Sequence, residues 1–252
     1  MGRLKDKVAI VIGGSKGIGL ASAQLFASEG AKVVITGRDL EVLNQAKDLI
    51  QGNVMAVQGD ISCLGHLEEL YEKTYKEYGY VDILFSNAGI VHPAWLKDVT
   101  EEIFDELISV NYKGTFFAVQ KGIPYFNKGA SIILNASIAG LFGIDKDSVY
   151  STTKAAVIQM AKNFAADLVA LNIRVNSISP GFIKTPLTDK WLEAQPEKYH
   201  AFRKKIPLGQ RVASADEIAK VVLFLASGDS SYVTGQNLVV DGGLSTLFIE
   251  NT

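Results

Sequence analysis

Seven short apolar runs, rich in β-branched residues, punctuate the chain: KVAIVI (7–12), KVVIT (32–36), VMAV (54–57), DILFS (82–86), SIILNAS (131–137), IRVNSIS (173–179) and NLVVD (237–241). Most are continuous rather than alternating, which is the pattern of strands covered on both faces. Longer amphipathic segments separate them. One of these, IGLASAQLFASEG, ends at Gly30 just before the next run, a helix C-terminal signal. Strand, helix, strand in repetition predicts an α/β fold: a doubly wound parallel β-sheet of about seven strands with helices on both faces. No linker, repeat or low-complexity tract interrupts the pattern, so residues 1–252 read as one domain. The stretch 180–212 departs from it. It contains Pro180, Pro186, Pro196 and Pro207 and reads as a long irregular loop, and loops of that length are usually functional.

The first run leads directly into VAIVIGGSKGIGLA, with glycines at 13, 14, 17 and 19 between the first strand and the first helix. Glycines there allow a tight turn and let backbone approach a ligand, while the helix N-terminus offers unpaired N–H groups to a pyrophosphate. The stretch Gly13, Ser15, Lys16, Gly17, Ile18 and Gly19 is therefore the candidate phosphate cradle, with a plain flexible turn as the alternative. Two rival motifs overlap it. A P-loop fails because Lys16 precedes a glycine rather than Ser or Thr. Gly13, Ser15 and Gly17 do spell G-x-S-x-G, the nucleophile elbow of an α/β-hydrolase, but no earlier strand supplies an oxyanion loop and only His200 stands late enough to serve Ser15. The three histidines have no metal spacing to one another, and no metal site is expected.

After the second strand, Gly37 and Arg38 stand where such folds read the adenosine ribose. A carboxylate there bonds the 2′-hydroxyl of NAD, whereas an arginine pairs with the 2′-phosphate of NADP. Arg38, with Lys16 as a second cation, favours NADP(H) over NAD(H); the alternative for Arg38 is the solvated start of a helix. In SVYSTTKAAVIQM (148–160), Tyr150 and Lys154 are four residues apart and share a helix face, and SIILNAS delivers Ser137 to the end of the fifth strand. Ligands of open α/β sheets bind beyond those strand ends. Carbonyl reduction needs hydride from a cofactor and a proton for the forming alkoxide. A tyrosine, with an ordinary pKa of about 10, suits neutral pH if it is acidified. Lys154 is the expected source of that acidification, and Ser137 the expected hydrogen-bond donor to the substrate oxygen.

With these motifs together, the chain resembles the short-chain dehydrogenase/reductase family, an NADP-preferring, Rossmann-like branch, from the glycine loop to VTGQNLVVDGG (233–243). The resemblance implies a catalytic set of Asn111, Ser137, Tyr150 and Lys154, read from VNYKG, NAS and YSTTK, in which Asn111 holds a helix kink and a water linking Lys154 to a proton relay. It implies cofactor contacts at Asn87, Ala88 and Gly89 beside the adenine ribose, at Asp60 and Ile61 beside the adenine, and at Pro180, Gly181, Ile183 and Thr185 beside the nicotinamide. Tyr150 and Lys154 belong to the cofactor contacts as well. One position departs from the family: Ile12 replaces the usual threonine whose hydroxyl helps orient the asparagine, so backbone partners are expected for Asn87. The resemblance further implies a homotetramer.

Composition narrows the remaining choices. Hydrophobic residues make up 48%, charged ones 21%, and formal net charge is -2, so no field argues for nucleic acid or an anionic membrane as partner. The lone Cys63 does not suggest a secreted disulfide scaffold, and no apolar run is long enough to span a bilayer, so a cytoplasmic location is expected. The expected partner is a small or medium ketone, aldehyde or secondary alcohol. Its wall should come from 138–149 and 182–206 with Trp191, joined by His92, Trp95 and Phe142. A 3-oxoacyl-acyl-carrier-protein reductase is the alternative, although of the two segments expected to dock the carrier only FNKGAS clearly supplies charge, at Lys128. A non-catalytic dinucleotide sensor is the reading of another class, and it gives the Tyr–Lys pair no purpose.

Overall fold

The computed structural model describes residues 2–247, without the side chains of residues 187, 190 and 191. Strands β1 (Val8–Ile12), β2 (Lys32–Gly37), β3 (Val54–Gln58), β4 (Val81–Ser86), β5 (Phe126–Asn135) and β6 (Arg174–Pro180) fall on the first six apolar runs. A further strand, β9 (Asn237–Val240), falls on the seventh. They form one parallel sheet in the order β3-β2-β1-β4-β5-β6-β9. The chain steps outward from β1 to β3 and then crosses back to β4 on the other side of β1. The order therefore reverses between β1 and β4, and ligands of open α/β sheets bind at the carboxyl ends of the strands at such a reversal.

Helices α1 (Gly17–Ser28), α2 (Leu40–Leu49), α3 (Leu64–Tyr78), α4 (Glu101–Leu107), α5 (Thr115–Gly122) and α6 (Ser148–Leu168) fill the crossovers. Continuous apolar strands need cover on both faces, and β1 shows how it is provided. Ile10 and Ile12 face a core completed by Leu67, Tyr71, Val119 and Val157; Ala9 and Val11 face a second one with Phe26, Leu43, Ile218 and Val222. Between α4 and α5, residues Ile108–Gly114 form a π-helical turn rather than continuing the α-helix.

The stretch 180–212 is not the irregular loop expected from its prolines. It contains α7 (Pro186–Ala194) and α8 (Pro196–Arg203), and Pro186 and Pro196 occupy first helical positions, where a missing N–H loses nothing. A two-residue strand on each side, β7 (Ile183–Lys184) and β8 (Ala213–Ser214), pairs in parallel as a separate small sheet. The last helix, α9 (Ala215–Ala226), begins with a capping box between Ser214 and Glu217. Among the described residues no helix is long and apolar enough to cross a membrane, and no His/Cys/Asp/Glu group could hold a metal ion.

Candidate active site

The glycine loop closes β1 onto α1. The N–H groups of Gly13 and Gly14 both donate to the Thr36 carbonyl, at 3.0 and 3.1 Å. Gly13 has φ +77° and would place a Cβ 2.8 Å from the Ala88 Cα, so no side chain fits between the loop and the 87–89 segment. Gly17, at φ +54°, faces Thr185, whose Cγ2 would lie 3.2 Å from an added Cβ. Lys16 is the N-cap of α1, makes no side-chain cap bond, and no acidic residue occupies the first turn. The first-turn N–H groups are thus left for an external acceptor, which suits a dinucleotide diphosphate.

At the end of β2, a Cβ on Gly37 would meet the Ser15 Oγ at 3.1 Å, which explains a glycine there. Arg38 next to it is exposed, and its guanidinium lies 3.9 Å from the Asp60 carboxylate. Asp60 accepts from both the N–H and the hydroxyl of Ser62, at 2.8 and 2.7 Å; although burial opposes it, these bonds and Arg38 hold its pKa below the ordinary value. The first carboxylate after β2, Asp39, caps α2 through the Val42 N–H at 3.1 Å. Ile61 is buried, and the π-turn presses on it: a Cβ on Gly114 would lie 2.9 Å from the Ile61 carbonyl oxygen.

The Asn111 side chain clasps one residue by both backbone groups. Its Oδ1 accepts from the Ile90 N–H and its Nδ2 donates to the Ile90 carbonyl, each at 2.9 Å, with a longer bond to Thr153 Oγ1 on α6. The clasp fastens the π-turn to the segment that follows β4. Gly89 lies beside it, with room for a Cβ only at 3.2 Å from Lys154 Nζ and 3.3 Å from Asn111 Oδ1. At the other end of the cradle, Gly181 donates to the Val240 carbonyl and packs on Asp241, following Pro180 at the tip of β6.

Ser137 ends the run from β5. Its Oγ accepts the Ala139 N–H at 3.1 Å, and its hydroxyl is near enough to the Tyr150 phenol to favour the phenolate. Lys154 is buried, donates to the Asn135 carbonyl at 2.8 Å, and lies 5.8 Å from the Tyr150 ring centroid. Burial brings the Lys154 pKa down to about 8. The Tyr150 pKa differs from the sequence expectation in sign. Burial pushes it up, the Ser137 hydroxyl pulls it down, and the nearby Asp147 carboxylate pushes it up further. Lys154 directs its hydrogen bond to a carbonyl instead of the phenol, and burial and Asp147 outweigh what would acidify the tyrosine. A hydroxyl, a protonated phenol and a cation nevertheless converge at the strand ends beside the glycine loop.

A family model described as enoyl-(acyl carrier protein) reductase matches residues 13–245. The chain belongs to the short-chain dehydrogenase/reductase family. It is an oxidoreductase. Its relatives include the NADP-dependent (R)-specific alcohol dehydrogenase of Lentilactobacillus kefiri, 43% identical over 248 residues, covering 96% of this chain and 97% of that protein. Another is the 3-oxoacyl-acyl-carrier-protein reductase FabG of Thermotoga maritima, 40% identical over 247 residues, covering 96% and 99%. The crystal structure of levodione reductase superimposes with a TM-score of 0.92 at 31% identity, covering 97% of this chain and all of that one. Membership disposes of the hydrolase reading. The histidines are also engaged elsewhere: His66 Nδ1 accepts from the Asp60 N–H, His92 approaches Glu106 at 3.9 Å, and His200 packs edge-on against Tyr199.

One residue of the short-chain dehydrogenase/reductase site is missed by sequence reasoning. Asn135 donates through Nδ2 to Asn87 Oδ1 at 2.8 Å, while Asn87 Nδ2 donates to the Gly13 carbonyl at 2.8 Å. A chain of bonds thus runs from the phosphate loop through Asn87 and Asn135 to Lys154. Asn87 has the expected backbone partner despite Ile12, plus a side-chain partner that no local spacing announces. Among the residues expected to wall the substrate, the Ala94 N–H donates to the Lys146 carbonyl at 2.8 Å, and the Lys146 ammonium sits 4.8 Å from the Trp95 ring centroid. Trp95, Leu96 and Lys97 line a wide recess of about 520 Å³. Phe142 is exposed, and the Trp191 side chain lies outside the described residues.

Proposed function

We propose that this protein interconverts a small or medium ketone or aldehyde with the corresponding alcohol, using NADP(H). The meeting of Ser137, Tyr150 and Lys154 at the carboxyl end of β5 and the first turns of α6 carries the reading. When bound, the reduced nicotinamide supplies the hydride. The first-turn N–H groups of α1 with Gly13, Ser15, Gly17, Ile18 and Gly19 would hold the diphosphate, and Asn87, Ala88, Gly89, Asp60 and Ile61 would line the adenosine. Pro180, Gly181, Ile183 and Thr185 would flank the nicotinamide. Tyr150, protonated at neutral pH, gives its proton to the alkoxide oxygen. Ser137 donates a hydrogen bond to that oxygen, and Lys154, charged below about pH 8, stabilises the phenolate left behind. Asn111 holds the floor beneath Lys154. Tyr150→Phe should abolish carbonyl reduction, followed by NADPH absorbance, while leaving NADPH binding within about twofold by fluorescence titration. Unchanged reduction would refute the assignment.

Preference for NADP(H) is supported by Arg38 at the end of β2, by Lys16 in the loop, by the use of Asp39 as a cap, and by the kefiri relative. Arg38→Asp should move the ratio of kcat/KM values toward NAD by about tenfold or more, the worth of one lost charge-assisted contact. A wild-type enzyme already faster with NADH would overturn it. The Thermotoga relative favours carrier-bound 3-oxoacyl substrates as a second reading; comparing acyl-carrier-bound with free 3-oxo esters separates the two. A cytoplasmic homotetramer completes the proposal, its assembly supported by the exposed Phe104, Tyr112 and Phe116 along α4 to α5 and testable by light scattering.

A further inference from the structure

The N-cap of α6 does not do what an aspartate there ordinarily does. Such a side chain accepts the N–H two or three residues on, here that of Val149 or Tyr150. Asp147 makes no cap bond. Its Oδ1 is buried without a hydrogen-bond partner, and no ion pair among the described residues includes it. The adjacent cation is turned away, since Lys146 lies over the Trp95 ring. A partly buried carboxylate held without a partner is costly. This one sits three residues before Tyr150, on the same turn of helix.

Resting on the assignment of Tyr150 as proton donor and acceptor, we infer that Asp147 is a positioning residue that sets the tyrosine's working pH range. Its negative charge adds to burial in keeping the phenol protonated, so the site reduces carbonyls across neutral pH and beyond, and oxidises alcohols only in alkaline solution. In reduction the Tyr150 O–H bond breaks as the alkoxide takes the proton, while hydride passes from the dinucleotide to the carbonyl carbon. In oxidation the phenolate takes the alcohol proton as hydride returns to the dinucleotide. The overall equilibrium is unchanged; what moves is the pH at which each direction runs.

Other charges lie beside Asp147 in the chain or on elements packed against α6. Asp145 and Lys146 share its loop, Lys154 follows one turn on, and α4 brings Glu101, Glu102, Asp105 and the Glu106–His92 pair, with Lys113 in the π-turn. Burial pushes the phenol up, and the carboxylate of Asp147 adds to it in the same direction. Burial pushes the Asp147 carboxyl up, and Asp145 pushes it in the same direction.

The experiment measures kcat/KM against pH in both directions for wild type, Asp147→Asn, Asp147→Ser and Asp145→Asn, with thermal melts of each. Asp147→Asn should shift the alkaline limb, the rise of oxidation and the fall of reduction alike, down by about one pH unit, as expected for one charge a helical turn away. Asp147→Ser, a good N-cap, should shift it equally and covers the case in which the asparagine variant folds poorly. Asp145→Asn should move it by less than about a third as much. An unmoved or raised limb in both Asp147 variants overturns the inference, as does an equal shift in Asp145→Asn. Tyr150→Phe separates the levels: its inactivity with an unmoved limb overturns this inference alone, whereas its retained turnover removes the underlying assignment.

Discussion

Replacing Lys154 with methionine should cost the enzyme its turnover and make the protein more stable. The side chain is 4% exposed, and burial brings its pKa from the ordinary 10.5 down to about 8. That fall corresponds to about 3 kcal/mol of penalty for keeping the ammonium charged in the folded state at neutral pH. Methionine has nearly the same length and carries no charge, so the penalty disappears. Against it stands the Asn135 carbonyl, which loses the donor now at 2.8 Å, at about 1–2 kcal/mol. The variant should therefore gain about 1–2 kcal/mol at pH 7, or about 2–6 °C in Tm. The pH dependence supplies the sharper check. Between about 8 and 10.5 the unfolded wild-type chain binds more protons at this site than the folded one, so wild-type stability rises with pH through that window. The advantage of Lys154→Met should be complete below about pH 8 and shrink above it. Urea unfolding of both proteins at about pH 7 and pH 9.5 reads this directly. A less stable variant at neutral pH, or a gap equal at the two pH values, would refute the reasoning.

Two further substitutions test the cradle. Gly19→Ala adds about 1 kcal/mol of helix propensity, yet its Cβ would collide with the Gly13 carbonyl oxygen and sit 2.7 Å from Asn87 Nδ2. It should lower Tm and weaken NADPH binding about tenfold or more by calorimetry, and an unaffected melt would show that the loop relaxes freely. Asn135→Ala removes the donor to Asn87 Oδ1 and also an Oδ1 that is buried without a partner, so the two effects largely cancel in stability, to within about 1 kcal/mol. Nucleotide affinity should still fall several-fold because Asn87 is no longer held against the phosphate loop. A loss confined to stability would make Asn135 merely structural.

The sheet is legible in the chain because buried parallel strands must be apolar throughout, and each of the seven runs is a strand. The glycine loop and the Ser137, Tyr150 and Lys154 set are legible for a related reason: their spacing follows from strand ends and helix turns, which are local. What stays hidden depends on partners far along the chain. Pro186 and Pro196 read as helix breakers yet open α7 and α8, because a proline signals a boundary without saying on which side the helix lies. Asn135 draws no notice because its partners, Asn87 and Lys154, lie in other elements. The sign of the Tyr150 shift is illegible for the same reason. A lysine four residues on suggests acidification, whereas the folded chain directs that ammonium to a carbonyl and lets burial and Asp147 dominate.

The β7–β8 ladder consists of two residue pairs, Ile183 with Ala213 and Lys184 with Ser214. Those rungs fix the separation at which the chain departs for α7 and rejoins at α9, whatever occupies the interval. Closure entropy grows only slowly with loop length. The interval therefore behaves as an exchangeable cassette: lineages can lengthen, shorten or rewrite it without disturbing the seven-stranded platform, and diversity in what such enzymes accept can accumulate there first.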